Sequence, residues 1–194
     1  MEWRGGGMKA FDWLYNRIAL ARHGVRCEAF PEINGRILIA KFADGGTIRI
    51  GRDVIINSCF RANPVGGHRT VLLIKGKDAL IEIDDGAGMS NVLIAARTHI
   101  YIGKNAMLGA GCKIFDTDFH SIRYAERAAD VNIPTAPVRI GDRAFIGGDA
   151  LILKGVTVGE ESVIGAGSVV AKDVPPGEIW AGNPARFIRK LQPG

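Results

Sequence analysis

A period of six residues constrains this chain more than any other feature. Ile140, Ile146, Ile152, Val158, Ile164 and Val170 follow one another at that interval without a break. Gly141, Gly147, Gly159 and Gly165 stand directly after four of them. Four residues beyond each apolar position come Ala144, Ala150, Val156, Ser162, Ser168 and Val174, all small or β-branched. Neither a helix, with period 3.6, nor a strand, with period 2, generates this pattern. A repeat this short belongs to a solenoid.

The spacing predicts an all-β parallel β-helix. Each unit is a short strand plus a corner, and the lead Ile or Val points into the shaft. The small residue four positions later also faces inward, and Gly in second place suits the backbone of a tight corner. Three units make a triangular coil of about eighteen residues, with coils ~4.8 Å apart as parallel strands, so no repeat can stand alone. The same phase recurs at Ile102-Gly103, Leu108-Gly109 and Ile114, with Ala106 and Cys112 in the small slots, and more loosely at Ile50, Ile56, Ile83 and Met89. Cys112 is therefore expected as a buried small hydrophobe.

The lead positions Ile114 and Ile140 are not a multiple of six apart, and residues 116–137 between them are polar and carry two prolines. This segment is predicted to leave the shaft as a loop, the kind of place where rigid scaffolds carry chemistry. Residues 9–23 predict an amphipathic helix, and the repeat stops at Pro175-Pro176, since consecutive prolines end a ladder. The expected organisation is a helical segment over 1–30, the β-helix over 31–178, and a tail over 179–194 ending in a short helix across the shaft's open end.

Composition narrows the function. The net charge is +5, but the basic residues are scattered with no run; nucleic-acid binding calls for a clustered footprint. Three cysteines without C-x-x-C spacing make neither a disulfide framework nor a zinc site and point to the reducing cytoplasm. No apolar run reaches the ~18 residues of a transmembrane helix.

The I-G-x4 repeats, the string Val163-Ile164-Gly165-Ala166-Gly167-Ser168-Val169-Val170-Ala171-Lys172-Asp173-Val174-Pro175-Pro176-Gly177 and the tail Trp180-Ala181-Gly182-Asn183-Pro184-Ala185-Arg186-Phe187-Ile188-Arg189-Lys190-Leu191 resemble the hexapeptide-repeat acetyltransferases, among them the galactoside, maltose, nodulation-type and polysaccharide O-acetyltransferases. The resemblance runs from about Ile81 to Leu191. It implies a left-handed β-helix, a homotrimer with shafts side by side, and acetyl-CoA in the groove between two shafts. It implies no metal.

The string Asp116-Thr117-Asp118-Phe119-His120 resembles the stretch that carries the family's catalytic histidine. Acyl transfer to a hydroxyl needs a base near neutral pH, and imidazole, with a reference pKa of ~6.5, supplies one. His120 is the expected general base, with Asp118, or Asp116 in its place, orienting the ring. Carried over by position, CoA contacts fall on Gly148, Ala166, Ala171 and Lys172, on Arg186 and Arg189 for its phosphates, and on Trp180 and Pro184 for the adenine. Asn91 resembles an acceptor-binding position. Arg97 stands where galactoside-type relatives place an acid, which suggests an acidic sugar. The expected activity is transfer of an acetyl group from acetyl-CoA to a sugar hydroxyl, as in a polysaccharide or its precursor. An amino-sugar N-acetyltransferase and a non-catalytic scaffold are the alternatives. A γ-type carbonic anhydrase requires a second His five residues past the first, and position 125 is Ala.

Overall fold

In a computed structural model, which describes residues 10–192, the chain winds into a three-sided shaft. Helix α1 (Ala10–Arg22) comes first. Coil 1 comprises β1 (Arg26–Cys27), β2 (Glu32–Gly35) and β3 (Leu38–Lys41), and coil 2 β4 (Thr47–Ile50), β5 (Ile55–Ser58) and β6 (Val71–Ile74). Coil 3 holds β7 (Leu80–Ile83), β8 (Gly88–Ser90) and β9 (Leu93–Ala96), and coil 4 β10 (His99–Ile102), β11 (Met107–Leu108) and β12 (Lys113–Phe115). Coil 5 is β13 (Val138–Ile140), β14 (Phe145–Ile146) and β15 (Leu151–Ile152); coil 6 is β16 (Thr157–Val158), β17 (Val163–Ile164) and β18 (Val169–Val170). Every third strand joins the same sheet, in the orders β1-β4-β7-β10-β13-β16, β2-β5-β8-β11-β14-β17 and β3-β6-β9-β12-β15-β18, all parallel.

The register explains the period. In the second sheet Ile33, Ile56, Met89, Leu108, Ile146 and Ile164 align one above another, all buried. In the third sheet Ile39, Leu72, Ile94, Ile114, Ile152 and Val170 do the same. Phe145 pairs with Val163, the eighteen-residue coil the sequence predicts. The small slots are filled by the buried Ala144, Ala150, Val156, Ser162, Ser168 and Val174. Cys112 is likewise inside, and burial pushes its thiol up to about 12, so it stays protonated and inert near neutral pH.

The reason for glycine in second place differs from the expectation. Gly147 has no positive φ; that conformation falls two residues later, at Asp149, and equivalently at Gly111 and Gly167. A Cβ on Gly147 would instead lie 2.6 Å from the Ala166 nitrogen of the next coil, and one on Gly109 2.6 Å from the Gly148 nitrogen. The second position is small because successive corners touch.

Both shaft ends are covered, and the tail corrects the predicted helix. It is an antiparallel hairpin, β19 (Glu178–Gly182) and β20 (Ala185–Lys190), with β19 added to the second sheet. Trp180 continues the inward column over Ile164 and packs against the core. At the other end α1 spans most of the predicted 9–23; Lys9 and the Gly-rich Met1–Met8 lie outside the described residues, as do residues 193 and 194. Its buried Asn16 donates to the Gly35 carbonyl (2.9 Å) and accepts from the Ile37 N–H (3.1 Å), completing the edge of coil 1. The large apolar residues of α1 other than Leu20, Phe11, Trp13, Leu14 and Ile18, face outward.

Two excursions leave the shaft. Cys59–Thr70, unforeseen as an insertion, separates β5 from β6, and residues 116–137, with a 3-10 helix over Tyr124–Ala129, separate β12 from β13. We predict that Gly147→Ala, which forces backbone against backbone, costs about 1–3 kcal/mol and lowers the thermal midpoint by several degrees. Gly88→Ala, which meets nothing within 4 Å, should leave it within about a degree, the usual range of a neutral surface change. Calorimetry of the two variants checks this.

Candidate functional site

The loop that carries His120 is held at its stem. Asp116 is fully buried, and its carboxylate accepts from the Arg97 N–H (2.7 Å), the Thr98 N–H (2.6 Å) and the Thr98 hydroxyl (2.8 Å). These bonds tie the start of the loop to the corner between β9 and β10. Thr117 bridges Thr135, and the Ala136 N–H donates to the Asp116 carbonyl, closing the stem. The Asp118 carboxylate takes a 2.7 Å ion pair from Lys154, at the corner after β15, and makes no hydrogen bond to the imidazole among the described residues. The two aspartates therefore anchor the loop to coils above and below it.

Phe119, the residue before the histidine, has φ +64. An aromatic residue at such a φ is strained and persists only where its surroundings hold it. Here the ring stands edge-on to Phe115 with centroids 5.1 Å apart, and the Lys75 ammonium lies 5.8 Å from it. The turn leaves His120 exposed, and among the described residues no side-chain hydrogen bond engages its imidazole. Arg97, read from sequence as an acceptor contact, gives its guanidinium to Asp130 of the same loop (3.4 Å).

The predicted CoA positions lie elsewhere on the shaft. Gly148 and Ala166 follow β14 and β17 at the corner between the second and third sheets, with Ala110 above them after β11. Coil-to-coil bonds there run from the Asp149 N–H to the Ala110 carbonyl and from the Gly167 N–H to the Gly148 carbonyl. The N–H groups of Ala110, Gly148 and Ala166 bond no other group among the described residues. Ala171 and Lys172 are exposed after β18, and Pro184 is exposed in the hairpin turn. Arg186 and Arg189 are exposed on β20, so the helical spacing that would have placed them on one face does not apply. Trp180, its indole N–H bonded to Glu178 (2.8 Å), is partly buried against the core at the shaft end.

Asn91 is buried, has φ +52, and donates its amide to the His68 carbonyl. It fastens the Cys59–Thr70 excursion and is not open to an acceptor. The opening lies beside it. The outward column of the second sheet runs Ile55, Gly88, Met107, Phe145, and the absent side chain at Gly88 leaves a notch. The resulting cavity of about 440 Å³ is lined by these residues, by Asn57, Asn63 and Ser90, and by Gly109 and Ala110 of the small-residue corner. Asn57, which lines it, donates to Ser90 (3.0 Å) and accepts from the buried Asn34 behind it (3.2 Å). Sequence reading missed this cavity because Gly88 reads as a gap only once the register is known. His120 is not among its lining residues: within one chain the loop and the corner emerge at different edges of the shaft. Among the described residues no three His, Cys, Asp or Glu are grouped to hold a metal ion.

Comparison with known proteins agrees with the repeat. A family model described as hexapeptide repeat of succinyl-transferase matches residues 137–172. A putative acetyltransferase of Dictyostelium discoideum is 46% identical over 92 residues, 47% of each chain. Nodulation protein L of Rhizobium meliloti is 45% identical over 96 residues, 50% of this chain and 51% of that protein. The chain spans about half the length of these curated relatives. A hexapeptide-repeat acetyltransferase of Vibrio cholerae, solved in complex with acetyl coenzyme A, shares 25% identity over 97% of this chain and 81% of its own, with a TM-score of 0.58. A mitochondrial γ carbonic anhydrase of Arabidopsis thaliana is 30% identical over 152 residues, 64% of this chain and 54% of that protein. The chain thus resembles the hexapeptide-repeat acetyltransferases, and over part of its length a γ carbonic anhydrase as well.

The Lys154–Asp118 pair generates a prediction. Ion pairs open to solvent, as this one partly is, contribute up to about 1 kcal/mol, so Lys154→Met should make trypsin cleavage at the exposed Arg123 about two- to fivefold faster. Asp118→Asn should match it, and the double variant should add little. Limited proteolysis followed by mass spectrometry measures this.

Proposed function

We propose that the chain is an acetyl-CoA-dependent O-acetyltransferase acting on a sugar hydroxyl, a left-handed β-helix that works as a homotrimer in the cytoplasm. One observation carries the reading. The small-residue corner of Ala110, Gly148 and Ala166, with unengaged N–H groups, joins an open cavity at Gly88 to the cationic tail of Arg186 and Arg189. The N–H groups suit the carbonyls of a pantetheine arm, Lys172 and the tail arginines suit CoA phosphates, and the notch suits an acceptor. Apolar Ile55, Met107 and Phe145 would pack on a sugar ring face or aglycone, with Asn57, Asn63 and Ser90 for its hydroxyls.

The separation of His120 from this corner supports a shared site, in which the loop of one subunit covers the groove of the next. There the imidazole takes the proton of the acceptor hydroxyl as its oxygen forms a bond to the thioester carbonyl carbon. The tetrahedral oxyanion collapses, the carbon–sulfur bond breaks, and the departing CoA thiolate takes up the proton. No covalent enzyme intermediate is needed, because the thioester is already activated. With both aspartates engaged in the stem, orientation of the imidazole falls to the Phe119 turn.

Thiol release from acetyl-CoA across a panel of sugars tests the proposal. Wild-type chain should turn over at least one glycoside, and His120→Ala should lower kcat by about 10²–10⁴, the usual contribution of a general base. Full activity in the variant would defeat the mechanism, and product analysis in the same assay separates O- from N-acetylation.

A further inference from the structure

Helix α1 presents a second surface, unrelated to acyl transfer. Its inner side is Asn16 and Leu20, both buried against coil 1. Directly opposite at helical spacing stand Phe11, Leu14 and Ile18, 80%, 51% and 49% exposed. A helix packed on a shaft normally turns its apolar stripe inward, and here the stripe points away from it. Arg17 and Arg22 flank the stripe. The helix's one acid, Asp12, is turned aside into a 2.8 Å pair with Arg36. Beyond the stripe the rings of Trp13 and Phe30 stand 6.2 Å apart with the Arg17 guanidinium over Trp13.

A cavity of about 450 Å³ opens at the C-terminal end of the same helix. It is lined by Arg22, His23, Lys41 and the backbone of Gly45 and Gly46, with Asp44 as its single carboxylate. Phe42 on its rim is 73% exposed. An apolar stripe edged by arginines, beside a polar recess in which bases outnumber acids, has the composition of an interfacial helix on anionic lipid. A second copy of the chain would bring the same basic groups against Arg22 and Lys41, whereas anionic headgroups complement them, which favours lipid as the occupant.

We propose that this end of the shaft docks on an anionic phospholipid bilayer, with Phe11, Leu14, Ile18 and Phe42 entering the interface and Arg22 and Lys41 meeting headgroup phosphates. The shaft then stands on its first coil. Six coils at ~4.8 Å place the tail hairpin roughly 25 Å farther out, in water.

Co-sedimentation tests this on the full chain, with vesicles of phosphatidylcholine alone or with one third phosphatidylglycerol. The mixed vesicles should pull the protein down and phosphatidylcholine alone should not, with binding weakening as salt rises. The triple variant Phe11→Ser, Leu14→Ser, Ile18→Ser and the pair Arg22→Glu, Lys41→Glu should each reduce the bound fraction at least fivefold while keeping the wild-type thermal midpoint. Absence of wild-type binding to either vesicle would overturn the proposal, as would unchanged binding by both variants. A fall in the triple variant's mass by light scattering would also overturn it, showing that the stripe joins copies of the chain.

Discussion

The rest of the molecule depends on the stacking of like residues at one register, coil over coil. In the uninterrupted coils each inward Ile or Val sits on its counterpart eighteen residues along the chain and one coil away along the shaft, and each buried side chain of this kind contributes about 1.5–3 kcal/mol. The parallel backbone bonds that fix the stacking also fix the corners. Since Gly109 and Gly147 meet the next coil at distances no Cβ could occupy, the corners are nearly as close-packed as the core. The unengaged N–H groups of Ala110, Gly148 and Ala166 are thus held by a scaffold that has little freedom to move them.

A rigid shaft offers few places for variation, and the chain uses them sparingly. One outward position without a side chain, Gly88, makes the cavity. One insertion, residues 116–137, makes the loop, and its two aspartates are spent on anchoring: Asp116 on the coil before, Asp118 on Lys154 of the coil after. The cost of the anchoring is concentrated at Phe119, whose strained backbone turns the histidine outward.

The C-terminal half of the fold was legible because its coils are free of insertions, so the six-residue spacing survives in the sequence from Ile140 to Val170. Coils 1 to 3 obey the same lattice, but Ile33 pairs with Ile56 and Ile56 with Met89 at intervals stretched by the turn after Lys41 and by the Cys59–Thr70 excursion. Periodicity cannot see through insertions of that size. The tail, expected as a short helix across the shaft's open end, is a strand hairpin. What decides it is the open edge of β17, which offers a strand its hydrogen bonds. Asn91 and Trp180 are expected as ligand contacts from the family resemblance by position; the structure shows Asn91 buried and bonded to the Cys59–Thr70 excursion, and Trp180 partly buried against the core.

The arrangement leaves the base and the groove on separate edges of one shaft, and the proposed chemistry therefore needs two chains. Subunit mixing tests this most directly. His120→Ala removes the base, and Ala166→Trp, at an exposed corner, blocks the groove without entering the core; each alone should be inactive. Unfolded together and refolded as mixed trimers, they should recover about a quarter of wild-type activity, from the random pairing of an intact loop with an intact groove around a closed ring. No recovery above the parent variants would contradict the shared site.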